Sequence, residues 1–162
     1  GTGSGCLAVS LAKEYINSKI IATDISKKAL NVAKKNSKSL KTSNQIQFIN
    51  CNWINIKTKF DFVVINPPYL TISEYYHSSY EIRNYEPKRA LLGGADGLDC
   101  YKIIARKLYK VIASKTILFV EIGYNQSDFC RKIFEEFGFN CIEIVKDYQK
   151  NERVIVLKKN CK

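Results

Sequence analysis

Hydrophobic positions alternate between helical and strand spacing along the first part of the chain. Residues 5–15 and the segment after Ser26 place apolar side chains at helical intervals, and Ser26 is a typical helix N-cap. Short apolar runs at 19–24, 45–49 and 60–66 predict strands. The last of these is almost continuously apolar, which predicts a buried strand in the middle of a parallel sheet.

The second half resumes the same alternation after an interruption. Residues 67–97 hold all three prolines of the chain, and we predict a long irregular and functional segment there. The remaining predicted elements are a helix at 98–113, a strand at 116–122, a helix at 126–137 and strands at 140–146 and 152–158. The order predicts an α/β, doubly wound sheet, mostly parallel, with an antiparallel C-terminal edge.

Size and composition favour one soluble globular domain over residues 1–162. The chain is 46% apolar and 25% charged, an ordinary balance for a folded domain. No apolar run reaches the roughly 20 residues that a membrane helix needs, and no secretory signal opens the sequence. We therefore expect a cytoplasmic protein without a membrane contact.

The charge and the cysteines each allow a functional and a neutral interpretation. A net charge of +11 can indicate a nucleic-acid or acidic protein partner. We favour a coding bias toward AT-rich codons, because only five of the 26 basic residues are arginine and the lysines are scattered rather than gathered in one stripe. The six cysteines lack metal-ligand spacing, so we expect reduced, packed thiols and no metal site.

A glycine-rich loop opens the sequence and points to a bound nucleoside. Gly1, Gly3 and Gly5 of the GTGSG loop allow backbone to approach a ligand closely. Asp24 ends the next predicted strand, where a carboxylate can accept hydrogen bonds from ribose hydroxyls. The loop alone would also suit a plain tight turn, and the addition of Asp24 favours a nucleoside-bearing ligand.

The sequence Asn66-Pro67-Pro68-Tyr69 is the strongest chemical signal. Two consecutive prolines form a stiff segment with free carbonyls. The Asn66 amide and the Pro67 carbonyl could both accept hydrogen bonds from a target NH2 group, and Tyr69 offers a flat face for stacking. Such a corner would orient a planar nitrogen toward a methyl donor, and orientation is a large catalytic effect. A turn that only ends a strand is the simpler alternative.

These motifs resemble those of the class I S-adenosylmethionine-dependent methyltransferases that modify amino groups of adenine, guanine and glutamine. The segment from Glu86 to Tyr101 (EPxxALxGGxDGLxxY) narrows the resemblance to the peptide chain release factor N5-glutamine methyltransferases, the HemK/PrmC family. Later matches are Glu121-Ile122-Gly123-Tyr124 with Gln126, Asp147, and Arg153-Val154.

The resemblance implies a role for each candidate site residue. S-adenosylmethionine would be bound by the loop Gly1, Thr2, Gly3, Ser4 and Gly5, by Asp24, and by Asn52 and Trp53 beside the adenine. Asn66, which would also adjoin the cofactor, together with Pro67, Pro68 and Tyr69 would hold the glutamine of a Gly-Gly-Gln loop in a release factor. Trp53 could equally be a core residue, and we interpret Glu86, Asp96 and Glu121 as loop-fixing rather than catalytic.

The sequence departs from the family at two points. Asn52 stands where the family usually has an acid, so it would contact the adenine without a charge. The strand that normally precedes the loop and the N-terminal helical domain of the family are both absent from this sequence, and we expect a fold lacking its first strand. Two alternatives stay open: methylation of an exocyclic amine in RNA or DNA, and an inactive truncated remnant.

Overall fold

Strands and helices alternate along the part of the chain that a computed structural model describes, residues 1–54 and 58–160. The helices are α1 Cys6–Glu14, α2 Lys27–Ser39, α3 Ile72–His77, α4 Tyr80–Tyr85, α5 Lys88–Leu91, α6 Asp99–Val111 and α7 Ser127–Glu136. The strands are β1 Ile20–Asp24, β2 Ile46–Asn50, β3 Phe62–Ile65, β4 Ile117–Glu121, β5 Phe139–Lys146 and β6 Glu152–Lys159. Of the helices in the described ranges, none is long and apolar enough to cross a membrane.

The first compact unit, Gly1–Asn55, is built on a parallel strand pair. β1 pairs with β2 from Ile20 opposite Ile46 through to Asp24 opposite Asn50, so both strands end at the same edge. A small apolar core joins α1 to these strands; its buried members are Ala8, Val9, Ala12, Ala22 and Ile46. The predicted cap is confirmed, because the Ser26 hydroxyl accepts a hydrogen bond from the Ala29 N–H at the start of α2.

The second compact unit, Ile56–Lys162, contains a four-stranded mixed sheet in the order β3-β4-β6-β5. β3 and β4 are parallel, whereas β6 is antiparallel to both of its neighbours. α7 packs on β5 and on α6. The side chains at the centre of this unit are fully buried, among them Tyr101, Leu118, Phe134, Phe139, Ile155 and Leu157.

The predicted fold class is confirmed: an α/β fold whose parallel strand pairs are followed by an antiparallel C-terminal edge. The strands form two sheets, one in each unit. The single domain over 1–162 and the missing first strand stay predictions.

The prediction of a buried central strand at 60–66 is wrong. β3 lies at one edge of the four-stranded sheet, and among the described strands it hydrogen-bonds only β4. Its side chains alternate in exposure, with Phe62 40% and Val64 37% exposed. An apolar run therefore shows that a segment is a strand but does not show which place it takes in the sheet.

The segment 67–97 is also more regular than predicted, because it contains α3, α4 and α5. α3 begins with a capping box, in which the Thr71 hydroxyl accepts from the Glu74 N–H and the Glu74 carboxylate accepts from the Thr71 N–H. Ser79 caps α4 in a similar way through the Ile82 N–H. These helices have four to six residues, too few to produce a helical period in the sequence.

Five of the six cysteines lie in the described ranges, and all five are free thiols. Cys130 is buried, and burial raises the pKa of its thiol to about 12, which keeps it protonated and unreactive. Cys6 is exposed, so the expectation of packed thiols is wrong for this residue. Cys161 lies outside the described residues.

The buried side chains of β4 should contribute strongly to the stability of the second unit. We expect Leu118→Ala, at a fully buried position, to lower the free energy of unfolding by about 2–5 kcal/mol, because the lost contacts leave a cavity. The matched control is Ile142→Ala at a position 56% exposed on β5, where we expect a change of about 0.5 kcal/mol. Chemical denaturation measures both, and equal losses would contradict this placement of the core.

Candidate active site

The glycine-rich loop is attached by its backbone to the end of β1. The Thr2 N–H donates to the Thr23 carbonyl at 2.8 Å, and the Gly3 N–H donates to Asp24 Oδ2 at 2.8 Å. Gly5 precedes α1 with a φ of 81°, and a Cβ there would lie 2.8 Å from the Cβ of Ala33. Glycine at position 5 is therefore required both by the backbone conformation and by the packing against α2.

Asp24 is the centre of hydrogen bonding in this loop. It is buried, with 7% of its surface exposed, and its second oxygen, Oδ1, accepts from the Ser26 N–H at 2.8 Å. One carboxylate thus holds both the glycine loop and the chain entering α2. A carboxylate oxygen can accept more than one hydrogen bond, so both oxygens also suit a ligand hydroxyl.

Trp53 lies against the same loop. A Cβ placed on Gly1 would be 3.5 Å from the indole Cζ3 of Trp53, ordinary van der Waals contact. The backbone of Trp53 has a φ of 64°, which few bulky residues adopt, and its carbonyl accepts from the Thr23 hydroxyl at 2.7 Å. The neighbouring Asn52 is exposed. The predicted cofactor residues of the first unit therefore lie together, at the carboxyl ends of β1 and β2.

This arrangement fits a nucleoside-bearing ligand. A Cβ on Gly3 would meet no atom within 4 Å, so the space over the middle of the loop is open. The Asp24 carboxylate and the Trp53 indole lie beside that loop. A carboxylate can accept hydrogen bonds from ribose hydroxyls, and an indole can stack on a flat base. S-adenosylmethionine contains both ribose hydroxyls and a flat base, so the Asp24 carboxylate and the Trp53 indole are compatible with it.

The Asn66–Tyr69 corner follows β3 in the second unit. Pro67 is buried, whereas Pro68 and Tyr69 are partly buried and Asn66 is exposed. Within the ranges 1–54 and 58–160, no protein group hydrogen-bonds the Asn66 side chain. Its amide is thus presented on a rigid backbone with its hydrogen-bonding capacity available to a ligand.

Tyr69 connects the corner to the end of β4. Its hydroxyl donates to Glu121 Oε1 at 3.3 Å. Burial raises the pKa of Tyr69, and the negative charge of Glu121 raises it further, so the phenol stays a neutral donor at physiological pH. Glu121 therefore fixes the ring of Tyr69, in agreement with the loop-fixing role that the sequence suggested.

A pocket of about 230 Å³ lies next to Tyr69. Its lining includes Glu74, Tyr124, Asn125 and Arg153, and the Arg153 Nε donates to Asp147 Oδ2 at 3.0 Å. Sequence analysis did not predict Glu74 or Asn125 here. The spacing of Thr71 and Glu74, which is that of a capping box, was the available signal for Glu74.

Asp96 has a structural role in the loop before α6. Its Oδ1 accepts from the Leu98 N–H at 2.9 Å, and its Oδ2 lies 3.2 Å from the Lys102 ammonium. The backbone hydrogen bond from Leu98 is the main cause that lowers the pKa of Asp96, and Lys102 adds to the shift. The carboxylate is half exposed and its partners belong to its own loop and helix, as expected for a residue that fixes a turn.

Comparison with solved structures shows which fold the chain shares with known proteins. The fold matches a ribosomal protein L11 methylase from Lactobacillus delbrueckii subsp. bulgaricus with a TM-score of 0.69 at 18% identity, over 99% of this chain and 67% of that one. At this identity the likeness concerns the fold alone. The fold is that of the class I methyltransferases.

Sequence comparison identifies the family. Residues 1–81 match the methyltransferase small domain family, and the protein belongs to that family. The chain is 44% identical over 157 residues to a bifunctional methyltransferase of Rickettsia prowazekii (strain Madrid E), covering 96% of this chain and 30% of that protein. It is 38% identical over 165 residues to a release factor glutamine methyltransferase of Fusobacterium nucleatum subsp. nucleatum, covering 100% of this chain and 46% of that protein. The chain thus spans less than half the length of these two relatives.

Removal of the Asp24 carboxylate should destabilise the first unit even without a ligand. Asp24→Ala leaves the Gly3 and Ser26 N–H groups without their acceptor, and we expect the free energy of unfolding to fall by about 2–3 kcal/mol. Asp128→Ala is the control, since that carboxylate is 78% exposed and pairs with Arg131 at the surface. Denaturant titrations compare the two, and equal stability of Asp24→Ala and its parent would contradict the structural role of the carboxylate.

The raised pKa of Tyr69 predicts a loss of stability at alkaline pH. The unfolded chain loses the phenol proton near pH 10, whereas the folded chain keeps it to higher pH. The stabilisation is therefore complete below about pH 10 and is lost as the pH rises through the folded pKa. We expect the unfolding free energy of Tyr69→Phe to decline less between pH 9.5 and 11 than that of the parent. Parallel declines would show that the environment of Tyr69 does not raise its pKa.

Proposed function

We propose that this chain is the catalytic region of an S-adenosylmethionine-dependent methyltransferase that modifies the glutamine side-chain amide of a Gly-Gly-Gln motif in a peptide chain release factor. The observation that carries the proposal is the exposed Asn66 amide on a rigid diproline corner, without a hydrogen bond to any described protein group. Family membership and relatives named as release factor glutamine methyltransferases support it.

The residues of the first unit would hold the cofactor. In the proposal the loop Gly1, Thr2, Gly3, Ser4 and Gly5 faces its methionine part, Asp24 accepts from the ribose hydroxyls, and Trp53 with Asn52 adjoins the adenine. Bound there, S-adenosylmethionine supplies an electrophilic methyl group on a sulfonium. Asn52 contributes a neutral amide, so the adenine contact lacks the charge that an acid would give.

The corner in the second unit would orient the substrate amide. An NH2 group has two N–H donors in one plane, and the Asn66 Oδ1 and the Pro67 carbonyl are two acceptors carried by one stiff segment. Two hydrogen bonds from the NH2 group to these acceptors would fix the plane of the amide and increase the electron density at its nitrogen. An amide nitrogen is otherwise a weak nucleophile, because its lone pair is delocalised into the carbonyl. The aromatic face of Tyr69 would pack on that plane.

Proton transfer requires no dedicated base in this scheme. The amide nitrogen would gain the methyl group as the bond between that methyl carbon and the sulfonium sulfur breaks, and it would then lose one of its two protons to solvent water. The contribution of the chain is therefore positional, and positioning of two reactants can account for several orders of magnitude in rate.

The proposed partner also determines the proposed location, since release factors act on ribosomes in the cytoplasm. The net charge of +11 slightly favours a second candidate, methylation of an exocyclic amine in RNA or DNA. The same corner could hold an adenine amino group, which is likewise planar. The two candidates differ in substrate and are separable by one assay.

Methyl transfer from labelled S-adenosylmethionine should distinguish the two substrates. We expect the full-length protein to label a release factor, and the label to disappear when the glutamine of its Gly-Gly-Gln motif is replaced by alanine. tRNA and rRNA serve as parallel acceptors. Labelling of RNA but not of the release factor would overturn the proposal in favour of the second candidate.

Asn66→Ala should abolish transfer while leaving the cofactor bound. We expect kcat to fall by about a hundredfold or more and the dissociation constant for S-adenosylmethionine to change by less than about threefold, because the residue acts by orienting the amide. Asn31→Ala, on the exposed face of α2, is the matched control and should keep the parent rate. A parent-like rate in Asn66→Ala would refute the role assigned to the corner.

Asp24→Ala should show the opposite pattern. The loss of the carboxylate removes the proposed ribose acceptor and the anchor of the Gly3 N–H, so we expect cofactor affinity to fall at least tenfold. Calorimetry with S-adenosylmethionine measures the affinity at a temperature where the variant is folded, with Asp128→Ala as the control. Equal affinity of Asp24→Ala and the parent would count against a cofactor site at this loop.

A further inference from the structure

The side chain of Gln126 is a buried amide between the Asn66–Tyr69 corner and the end of β4. Only 7% of the residue is exposed. Its Nε2 donates to the Tyr69 carbonyl at 3.0 Å. Its Oε1 accepts from the Gly123 N–H at 3.0 Å and from the Tyr101 hydroxyl at 3.2 Å. The amide thus makes three hydrogen bonds to three different elements.

The orientation of this amide is determined by its partners. The backbone N–H of Gly123 can only donate, so the atom facing it must be the oxygen. The carbonyl of Tyr69 can only accept, so the atom facing it must be the nitrogen. A rotation of the amide by 180° would create two repulsive contacts, and Gln126 therefore has one allowed orientation.

Two glycines make room for the amide. A Cβ at Gly97 would lie 2.6 Å from Nε2 of Gln126, and a Cβ at Gly123 would lie 2.7 Å from Oε1. Neither distance is compatible with a side chain. Gly97 also has a φ of 75°, which favours glycine independently. The sequence thus keeps both flanks of Gln126 free of side chains.

The corner is held at both of its ends by β4 and the loop that follows this strand. At its start, Ile65 of β3 pairs with Val120 of β4. At its end, Gln126 from the loop after β4 holds the Tyr69 carbonyl, and Glu121 of β4 accepts from the Tyr69 hydroxyl. Between these two points stand Pro67 and Pro68, whose φ angles are fixed by their rings. When both ends of such a segment are fixed, the Asn66 amide and the Pro67 carbonyl have little freedom to move.

We infer that Gln126 is a positioning residue. By holding the Tyr69 carbonyl it fixes the whole corner, and so it orients the Asn66 and Pro67 oxygens that would accept hydrogen bonds from the substrate amide. The inference rests on the proposed function and deepens it. Gln126 need not touch the substrate. It acts through the backbone of the corner, and Tyr101 acts one step further away by orienting Gln126.

The test is Gln126→Glu in the full-length protein. Glutamate has nearly the same size but places a carboxylate oxygen against the Tyr69 carbonyl, so the hydrogen bond is replaced by a repulsion. We expect kcat for release factor methylation to fall by about ten- to a hundredfold, as for a small misplacement of reacting groups. We expect the dissociation constant of S-adenosylmethionine to stay within about twofold of the parent.

Tyr101→Phe gives a milder variant if Gln126→Glu does not fold. It removes a hydroxyl whose single proton is shared between Gln126 Oε1 and the Glu121 carbonyl, and it leaves the Tyr69 contact in place. We expect a decrease of about two- to fivefold in kcat. Gln47→Glu, at an exposed position of β2, controls for the added charge and should keep the parent kcat.

A second measurement decides the inference independently of activity. Hydrogen exchange followed by mass spectrometry reports the backbone N–H groups of Asn66, Tyr69 and Leu70. In Gln126→Glu we expect exchange in this peptide to accelerate at least tenfold, with exchange in α1 unchanged. If amide hydrogen exchange in the corner of Gln126→Glu equals that of the parent, the inference is overturned. It is also overturned if exchange in the corner is faster but kcat equals that of the parent. A parent protein that methylates no release factor would refute the proposed function instead, and exchange would still show whether Gln126 holds the corner.

Discussion

Parallel pairing of neighbouring strands is the constraint on which every candidate functional residue depends. The pairing of β1 with β2 brings Asp24 level with Asn50, and the pairing of β3 with β4 brings Ile65 level with Val120. Because parallel strands end at the same edge, the chains that leave them must share one surface. Asp24 and Trp53 follow from the first pair, and the glycine loop is joined to the end of β1 by hydrogen bonds to Thr23 and Asp24. The Asn66–Tyr69 corner with Glu121 and Gln126 follows from the second pair.

Each unit then fixes its loops with one buried polar side chain. In the first unit the carboxylate of Asp24 accepts two backbone N–H groups, which suits a loop that would otherwise have unsatisfied donors. In the second unit the amide of Gln126 donates to one carbonyl and accepts twice, which suits a corner whose prolines lack N–H groups. The type of side chain follows from the hydrogen-bonding groups that each loop leaves unpaired. In both cases the result is backbone rigidity at the point where the proposed reaction needs orientation.

Much of this could be predicted from sequence, because the signals are local. Strand and helix positions followed from apolar spacing. Ser26 could be predicted as a cap, and Asp24 and Asn66–Tyr69 as candidate site residues, from their residue types and their places after strands. The edge position of β3 could not be predicted, since an apolar run contains no information about partners. The helices α3, α4 and α5 were too short to show a period. The role of Gln126 depends on residues 57 positions apart, a relation that spacing alone does not reveal.

The central claim is that the corner at Asn66 holds a planar nitrogen for methylation. The most direct measurement is a crystal structure of the full-length protein with the demethylated cofactor and a Gly-Gly-Gln peptide. The account predicts the glutamine nitrogen about 3 Å from both Asn66 Oδ1 and the Pro67 carbonyl. A glutamine bound elsewhere, or an Asn66 that contacts no part of the peptide, would contradict it.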